Sequence, residues 1–499
     1  MSAQLHTPVQ AASWLRDRVT GKLWTDSRKV TTGDGFIAWP GAATDGRQFV
    51  GAALAAGVTA CLVEQDGAAA YAFPDGKIAE YAGLKAATGP IAAAYFNEPS
   101  RQLRISAVTG TNGKTSTAWW LAQALGRLGR RCGLIGTLGI GEPDAMESNG
   151  LTTPDPVLLQ QALRRFADEG FAACAIEASS IGLVEHRLDA TAIEVAIFTN
   201  FTQDHLDYHA SMEGYWEAKA SLFGWPGLKA AVINIDDARG AELHDSLASS
   251  GLDVWTVSCA EPARLLARDI EHGADAVSFD VVEGVERHKV RAQVVGQYNV
   301  SNLLGVLAAL RAMGISLTEA VGACTGLLPV PGRAETLAVP GKPLVVVDYA
   351  HTPDAMEKIL LALRPVASHR GGQLWCVFGC GGDRDATKRP LMAAVAEKNA
   401  DQVVVTSDNP RSENPLAIIC QVLLGLSHRD AVHVQADRAA AIAHALSLAQ
   451  PQDVVLLAGK GHESFQEVAG VKLRFSDRAH AQALLDTTAV GHTSGGGAA

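Results

Sequence analysis

From about residue 101 onward, short apolar runs alternate with segments whose apolar side chains recur every three or four residues. The runs FAACAIEAS (171–179), IEVAIFTN (193–200) and KAAVINIDD (229–237) have the length of strands. Between the loop regions, PDPVLLQQALRRF places Val157, Leu158, Leu163 and Phe166 on one helical face behind Asp155, a suitable N-cap. Strands with no alternating polar face, separated by helices, predict a parallel sheet covered on both sides. A proline and glycine cluster, LLPVPGRAE (327–335), interrupts this pattern. Beyond it LVVVDYA, LWCVFG, QVVVTS and DVVLLAG predict a second doubly wound sheet. Residues up to about 98 combine strand-like runs (Phe36 to Trp39, Ala60 to Val63) with alanine-rich helical stretches and close at NEPSRQ, a linker-like segment. The expected fold is therefore α/β in three domains, 1–98, 99–333 and 334–490, with a disordered tail at 491–499 that has nothing to bury.

Composition agrees with that picture and narrows the setting. A chain of 499 residues is too long for one core, and 47% hydrophobic with 19% charged residues is ordinary for a globular protein. No apolar run approaches the ~20 residues of a membrane helix. The N-terminus lacks a basic segment followed by an apolar one, so a cytoplasmic protein is expected. Eight cysteines are scattered, and the nearest pair, Cys376 and Cys380, has the spacing of neither a zinc knuckle nor a thioredoxin motif. The net charge of −11, with no basic stripe, argues against nucleic acid as a partner.

Chemistry first surfaces at AVTGTNGKTSTAWW (107–120), which joins an apolar run (Leu103, Ile105, Ala107, Val108) to a helical pattern (Trp119, Leu121, Ala122, Leu125). Counting back from Lys114, the first glycine of a full P-loop would fall at Val108, so the loop is a shortened one. Gly110 and Gly113 let the backbone of Thr111 and Asn112 approach a polyphosphate at a helix N-terminus. Lys114 would bring a positive charge to the β- and γ-phosphates, and Thr115 or Ser116 a hydroxyl for Mg²⁺. The plain alternative is a glycine turn that binds nothing. Glu177 ends a strand at the edge where doubly wound sheets bind ligands, and His205 lies in the loop after the next strand. A lone loop histidine is more often structural than a ligand, but two neighbouring strand ends offering ligands shift that balance.

TGTNGKT (109–115), EASS (177–180), TNFTQDHLDYH (199–209), YWEAKASLF (215–223), NVSNLLG (299–305), PGRAE (331–335), DYAHTPDA (348–355) and GCGGDRDATKRP (379–390) occur in the order found in the Mur ligases. The chain thus resembles that family of ATP-dependent, amide-forming enzymes of peptidoglycan precursor synthesis. The resemblance runs from DSRKVTTGDGFIA (26–38) to GKGHE (459–463), and the shortened loop is the family's version. It implies a central P-loop-type parallel-sheet domain, a C-terminal Rossmann-like domain and a smaller N-terminal α/β domain for uridine. DNPR (408–411) resembles the signature of members that add meso-diaminopimelate to UDP-N-acetylmuramoyl-L-alanyl-D-glutamate.

By that resemblance, the γ-carboxylate of the substrate's D-glutamate attacks the γ-phosphate of ATP, giving an acyl phosphate and ADP. The amine of diaminopimelate then attacks the acyl carbon and phosphate leaves. Two anions must meet, which needs cations: Lys114 and Mg²⁺ held by Thr115, Glu177 and His205. The family's matching lysine is carbamylated, which would make Lys219 an anion able to hold a second Mg²⁺. Read without the family, Lys219 is an ordinary solvated helix lysine. Carried over residue by residue, Ser27, Thr152, Thr153, Ser179, Glu185 and Arg187 face the UDP-sugar peptide, and Asn302, Arg333 and Asp348 the nucleotide. Two departures stand out: Ile181 where relatives commonly have histidine, and Glu185 where they often have glutamine. Glu185 is expected to pair with Arg187 or to accept hydrogen bonds.

Diaminopimelate has two ammonium-carboxylate ends, so its far end needs a cationic fork and an acceptor. Arg384 and Arg411 suit the carboxylate, while Asp408, Asn409, Gly459 and Glu463, with Pro410 shaping the turn, suit the ammonium. Rival readings are a related ligase adding L-lysine, folylpolyglutamate synthetase, or a P-loop ATPase switch that forms no amide. The DSRK stretch argues against the second, and two amino-acid-binding arginines against the third. The expected partners are small molecules only, acting on a monomer.

Overall fold

The computed structural model describes residues 3–41, 44–73, 76–273 and 276–487, so the expected tail lies outside the described residues. Among the described residues three large sheets organise the chain as N-terminal, central and C-terminal domains, and a two-stranded hairpin (Phe465–Val468 with Val471–Arg474) forms a fourth. The first has five parallel strands in the spatial order Ala3–Leu5, Ile78–Tyr81, Ala60–Glu64, Gly35–Ala38 and Leu23–Trp24. It packs a hydrophobic cluster on each face.

The central sheet has eleven strands. Arg104–Thr109 lies between Ala173–Glu177 and Ile193–Phe198, with Cys132–Gly136 beyond the former and Ala230–Asn234, Asp253–Ser258 and Leu265–His272 beyond the latter, all parallel. The expected all-parallel sheet is corrected at both edges. Gly139–Glu142 and Ala145–Glu147 extend one side antiparallel, and Val277–Glu283 and Glu286–Ala292 the other. The buried helix Gln297–Ala312 covers one face together with Lys114–Arg127. Pro156–Asp168, capped by Asp155 as its spacing predicts, covers the other.

The C-terminal sheet runs in the spatial order Glu335–Leu337, Leu344–Asp348, Val454–Ala458, Leu374–Phe378, Gln402–Val405 and His433–Val434. Its first strand is antiparallel and the others are parallel. NEPSRQ does not behave as a loose linker. Pro99 and Ser100 are buried, the Ser100 hydroxyl accepts from Ala192 N–H (3.1 Å), and Val157 joins the N-terminal core. Among the described residues no helix is long and apolar enough to cross a membrane.

Candidate active site

The strand Arg104–Thr109 sits where the strand order of the central sheet reverses, and the phosphate loop follows it at the carboxyl edge. Neighbouring strand ends lace the loop in place. Asn112 N–H donates to the Asn200 side chain (2.9 Å), Thr111 N–H to the Asn200 carbonyl (2.8 Å), and the Thr199 hydroxyl to the Asn112 carbonyl (2.6 Å). Gly110 has φ 143°, and a Cβ there would overlap the Thr199 hydroxyl. Gly110→Ala should therefore weaken ATP-analogue binding at least roughly tenfold, measured by calorimetry, because it both strains and displaces the loop.

The helix Lys114–Arg127 starts from left-handed Gly113 with no side-chain cap, and Gly113, Lys114, Thr115 and Ser116 line one cavity with Glu177, Arg333 and Asp348. Its first N–H groups are thus offered to an anion. Lys114 curls back, donating to the Gly110 and Thr111 carbonyls (both 2.9 Å). Burial pushes its pKa down, against the opposing pull of Glu177 and Asp204. From the other side Lys219 donates to the same Gly110 carbonyl (2.7 Å) and stands 4.3 Å over the Tyr215 ring. It is only 1% exposed, not solvated, and burial followed by the Lys114 charge drives its pKa well below that of an ordinary lysine.

Glu177 is buried at the end of its strand and accepts from the Thr115 hydroxyl (2.9 Å), the Thr137 N–H (2.8 Å) and the Thr137 hydroxyl (3.1 Å). Sequence reasoning missed Thr137, which sits one residue past an apolar run and carries no motif. His205 adopts left-handed backbone (φ 53°) beside Asp204. Burial lowers its pKa in spite of Asp204. Burial would raise Asp204, but His205, His351 and Lys388 together bring it to about 2.

Arg333 reaches across from the C-terminal domain boundary, donating to the Thr115 hydroxyl (3.1 Å) and lying 4.3 Å from the Tyr349 ring centroid. Asp348 accepts from Ala334 N–H (2.6 Å) and Ala350 N–H (2.7 Å), and burial pushes its carboxyl up against Arg333. The Asn302 amide donates to Asn299 (3.1 Å) in the helix, and its oxygen packs on Gly113. Asn299, Asn302, Arg333 and Asp348 all line the cavity.

Thr152 and Ser179 line the same cavity, joined through Thr153, whose hydroxyl donates to the Glu177 carbonyl (2.7 Å) and accepts from Ser179 N–H (3.1 Å). Arg187 donates to the Thr153 carbonyl (2.9 Å), not to Glu185. Of the two expectations for Glu185, only hydrogen-bond acceptance holds. It takes the Tyr208 hydroxyl and pairs instead with Lys85 of the N-terminal domain (2.9 Å). Ser27 lies on a turn of the N-terminal sheet, outside this cavity.

The remaining positions gather at the carboxyl ends of three adjacent C-terminal strands. Arg384 follows Leu374–Phe378, Asp408 to Arg411 follow Gln402–Val405, and Gly459 to Glu463 follow Val454–Ala458. Asn409 Nδ2 donates to Glu463 Oε2 (2.8 Å), and Pro410 closes the turn by accepting from Glu413 N–H (3.0 Å). Arg411 has φ 52° and donates to the Gly382 carbonyl (2.7 Å). The Arg411 guanidinium and the Arg384 side-chain stem approach the same face of Gly381, and the Arg384 guanidinium donates to the Asp383 carbonyl (3.0 Å).

Three supports were not anticipated. Lys460, fully buried, bonds both Asn409 (3.0 Å) and Glu463 (2.8 Å). Arg389 holds Glu413 and the Gly381 carbonyl. Arg438 forms a fully buried two-bond pair with Asp477 (2.7 Å each) and also donates to the Ser407 and Ala458 carbonyls, tying two strand ends together.

Three family descriptions match the chain: "Mur ligase family, catalytic domain" over residues 22–93, "Mur ligase middle domain" over 108–310, and "Mur ligase, glutamate ligase domain" over 332–461. A UDP-N-acetylmuramoyl-L-alanyl-D-glutamate--2,6-diaminopimelate ligase of Acidovorax sp. (strain JS42) is 59% identical over 488 residues, 96% of this chain and 97% of that protein. A solved structure of a ligase with the same name is 35% identical, covers 95% of both chains and has a TM-score of 0.66. A MurF ligase from Thermotoga maritima in complex with ADP is 18% identical, covers 94% of this chain and 97% of its own, and shares the fold with a TM-score of 0.67. The chain belongs to the Mur ligase family of ATP-dependent, amide-forming ligases.

Proposed function

We propose that this protein adds meso-diaminopimelate to the D-glutamate γ-carboxylate of UDP-N-acetylmuramoyl-L-alanyl-D-glutamate, using ATP, in cytoplasmic peptidoglycan precursor synthesis. The single observation that carries the amino-acid choice is the approach of the Arg411 guanidinium and the Arg384 side chain to one face of Gly381, on the same or adjacent strand ends as Asp408, Asn409 and Glu463. A cationic fork next to an acceptor set matches a zwitterionic end, whereas lysine would leave the guanidinium without its carboxylate. In this reading the chain divides at 98/99 and 333/334, and the reactants meet between the central and C-terminal domains.

The carboxylate oxygen bonds to the γ-phosphorus and the bond to ADP breaks. The amine nitrogen then bonds to the acyl carbon, phosphate leaves and the nitrogen loses a proton. Lys114 exchanges its two loop carbonyls for phosphate oxygens, and Arg333, already on Thr115, brings a second cation to the same edge. Glu463 has Oε2 held by Lys460 and Asn409, which orients the carboxylate toward an ammonium group.

For Mg²⁺ the donor chemistry fits in part as it stands. The Thr115 hydroxyl and Glu177 carboxylate, 2.9 Å apart, are hard oxygens of the kind that hold the ion alongside phosphate oxygens. Among the described residues no three His, Cys, Asp or Glu side chains form a metal-holding group. His205 would complete the set with Thr115 and Glu177, and Lys219 would offer oxygen donors to a second Mg²⁺ only once its amine is a carbamate. When bound, the ion supplies positive charge against the transferring phosphoryl oxygens.

The reading is tested by incubating the purified protein with ATP, Mg²⁺, the UDP-dipeptide and a panel of amino acids, with product mass as readout. An adduct heavier by one diaminopimelate residue is expected, with phosphate release dependent on both acceptor and amino acid. Preference for lysine, or phosphate release without an adduct, refutes it.

A further inference from the structure

The segment DYAHTPDA contains a second carboxylate, Asp354, that the nucleotide-site assignment leaves unused. It lies in the first turn of the helix Pro353–Arg370, which Thr352 caps. Asp354 Oδ2 accepts from Asn112 Nδ2 at 2.8 Å, and the Thr202 hydroxyl lies 3.4 Å away. Both donors belong to the central domain, and Asn112 belongs to the phosphate loop itself. The backbone N–H and carbonyl of Asn112 are already engaged by Asn200 and Thr199. Its side chain is the loop's remaining free arm, and that arm grips the other domain.

We propose that Asp354 is a positioning residue that clamps the phosphate loop to the amino-acid domain through Asn112, holding the two halves of the ATP cavity in register. The proposal rests on the ATP-dependent reaction above and deepens it. Lys358, one turn further on and lining the cavity, bonds the same carboxylate oxygen (2.9 Å). The clamp thus adds no unbalanced negative charge where a polyphosphate must enter, as an isolated carboxylate would. A surface Asp–Lys pair within one helix contributes little by itself. The hydrogen bond to Asn112 differs because it spans domains. Any bond made only when the two domains are apposed raises the fraction of protein competent to bind a ligand lying between them.

The test is a double-variant cycle read by calorimetric binding of a non-hydrolysable ATP analogue, with steady-state KM values for each substrate. Asp354→Ala should weaken the analogue about tenfold, as for loss of a charge-assisted bond, and leave KM for the UDP-dipeptide within about twofold. Asp354→Asn, which keeps an acceptor for Asn112, should stay within about threefold of wild type. In an Asn112→Ala background, Asp354→Ala should cost less than about twofold more, because the partner is already gone. Costs that multiply in the double variant overturn the proposal, as does Asp354→Ala binding the analogue within about twofold of wild type. Melting curves establish that each variant is folded; Asp354→Leu replaces an Asp354→Ala that is not, and Asn112→Ser an Asn112→Ala that is not. Adduct formation by the wild type is scored separately, so a wrong clamp and a wrong reaction give different results.

Discussion

Arg411→Ala should lower kcat/KM for diaminopimelate roughly 100-fold or more while leaving KM for ATP within about twofold. The expectation follows from how the side chain is held. Arg411 is a non-glycine residue with φ 52°, a conformation that costs on the order of 1 kcal/mol and persists only where the surroundings impose it. Here they do. Arg411 N–H donates to the Glu467 carbonyl (3.0 Å), and the Arg411 carbonyl accepts from Ala469 N–H (2.7 Å), so the residue is pinned to the 465–474 hairpin. Its guanidinium is steered by the Gly382 carbonyl, with Glu467 3.9 Å from Nε. Alanine keeps the backbone pins and removes only the fork, which separates recognition from folding. The phosphate loop lies on a different sheet, so ATP should not register the change. Discrimination between diaminopimelate and lysine should fall by the same factor, because lysine never used the fork. Steady-state kinetics with both amino acids measure this, and equal losses toward ATP and diaminopimelate would show that Arg411 supports the fold instead.

The buried middle of each sheet could be read in the sequence because strands covered on both faces are apolar without interruption, as in Ala173–Glu177 and Val454–Ala458. The antiparallel edges could not. Val277–Glu283 alternates buried and half-buried positions, and Glu286–Ala292 is largely charged and exposed, so neither forms an apolar run. The site divides in the same way. Gly110, Lys114, Glu177 and Arg411 sit in local motifs whose chemistry shows in a few consecutive residues. Their supports lie far along the chain. Arg438 meets Asp477 across 39 positions, and Asn112 meets Asp354 across 242, separations at which no periodicity or spacing survives. Glu185 is instructive in another way. Its charge was visible, but its partner Lys85 lies on a helix of another domain, and the nearer Arg187 turns to a backbone carbonyl instead.

Lys219→Ala should abolish most activity, about 10³-fold in kcat, and short carboxylates such as formate or acetate should restore part of it. Lys114 and Lys219 both donate to the Gly110 carbonyl, so two ammonium groups would crowd one oxygen. Burial and the Lys114 charge resolve that conflict by favouring the neutral Lys219 amine. A neutral amine is the nucleophilic form. Its lone pair can bond to the carbon of CO₂ with loss of a proton, leaving a carbamate whose negative charge complements Lys114 instead of opposing it. The helix Met212–Ala220 and the Tyr215 ring hold the amine at this spot, so truncation to alanine vacates the room that the lysine side chain filled. Rescue distinguishes this role from a structural one. A carboxylate supplies the missing charge and oxygen donors but cannot repair a collapsed helix, so recovery of rate with added formate reports chemistry at that position. An alanine variant as fast as wild type, or one that formate leaves untouched, removes the carbamate from the reaction.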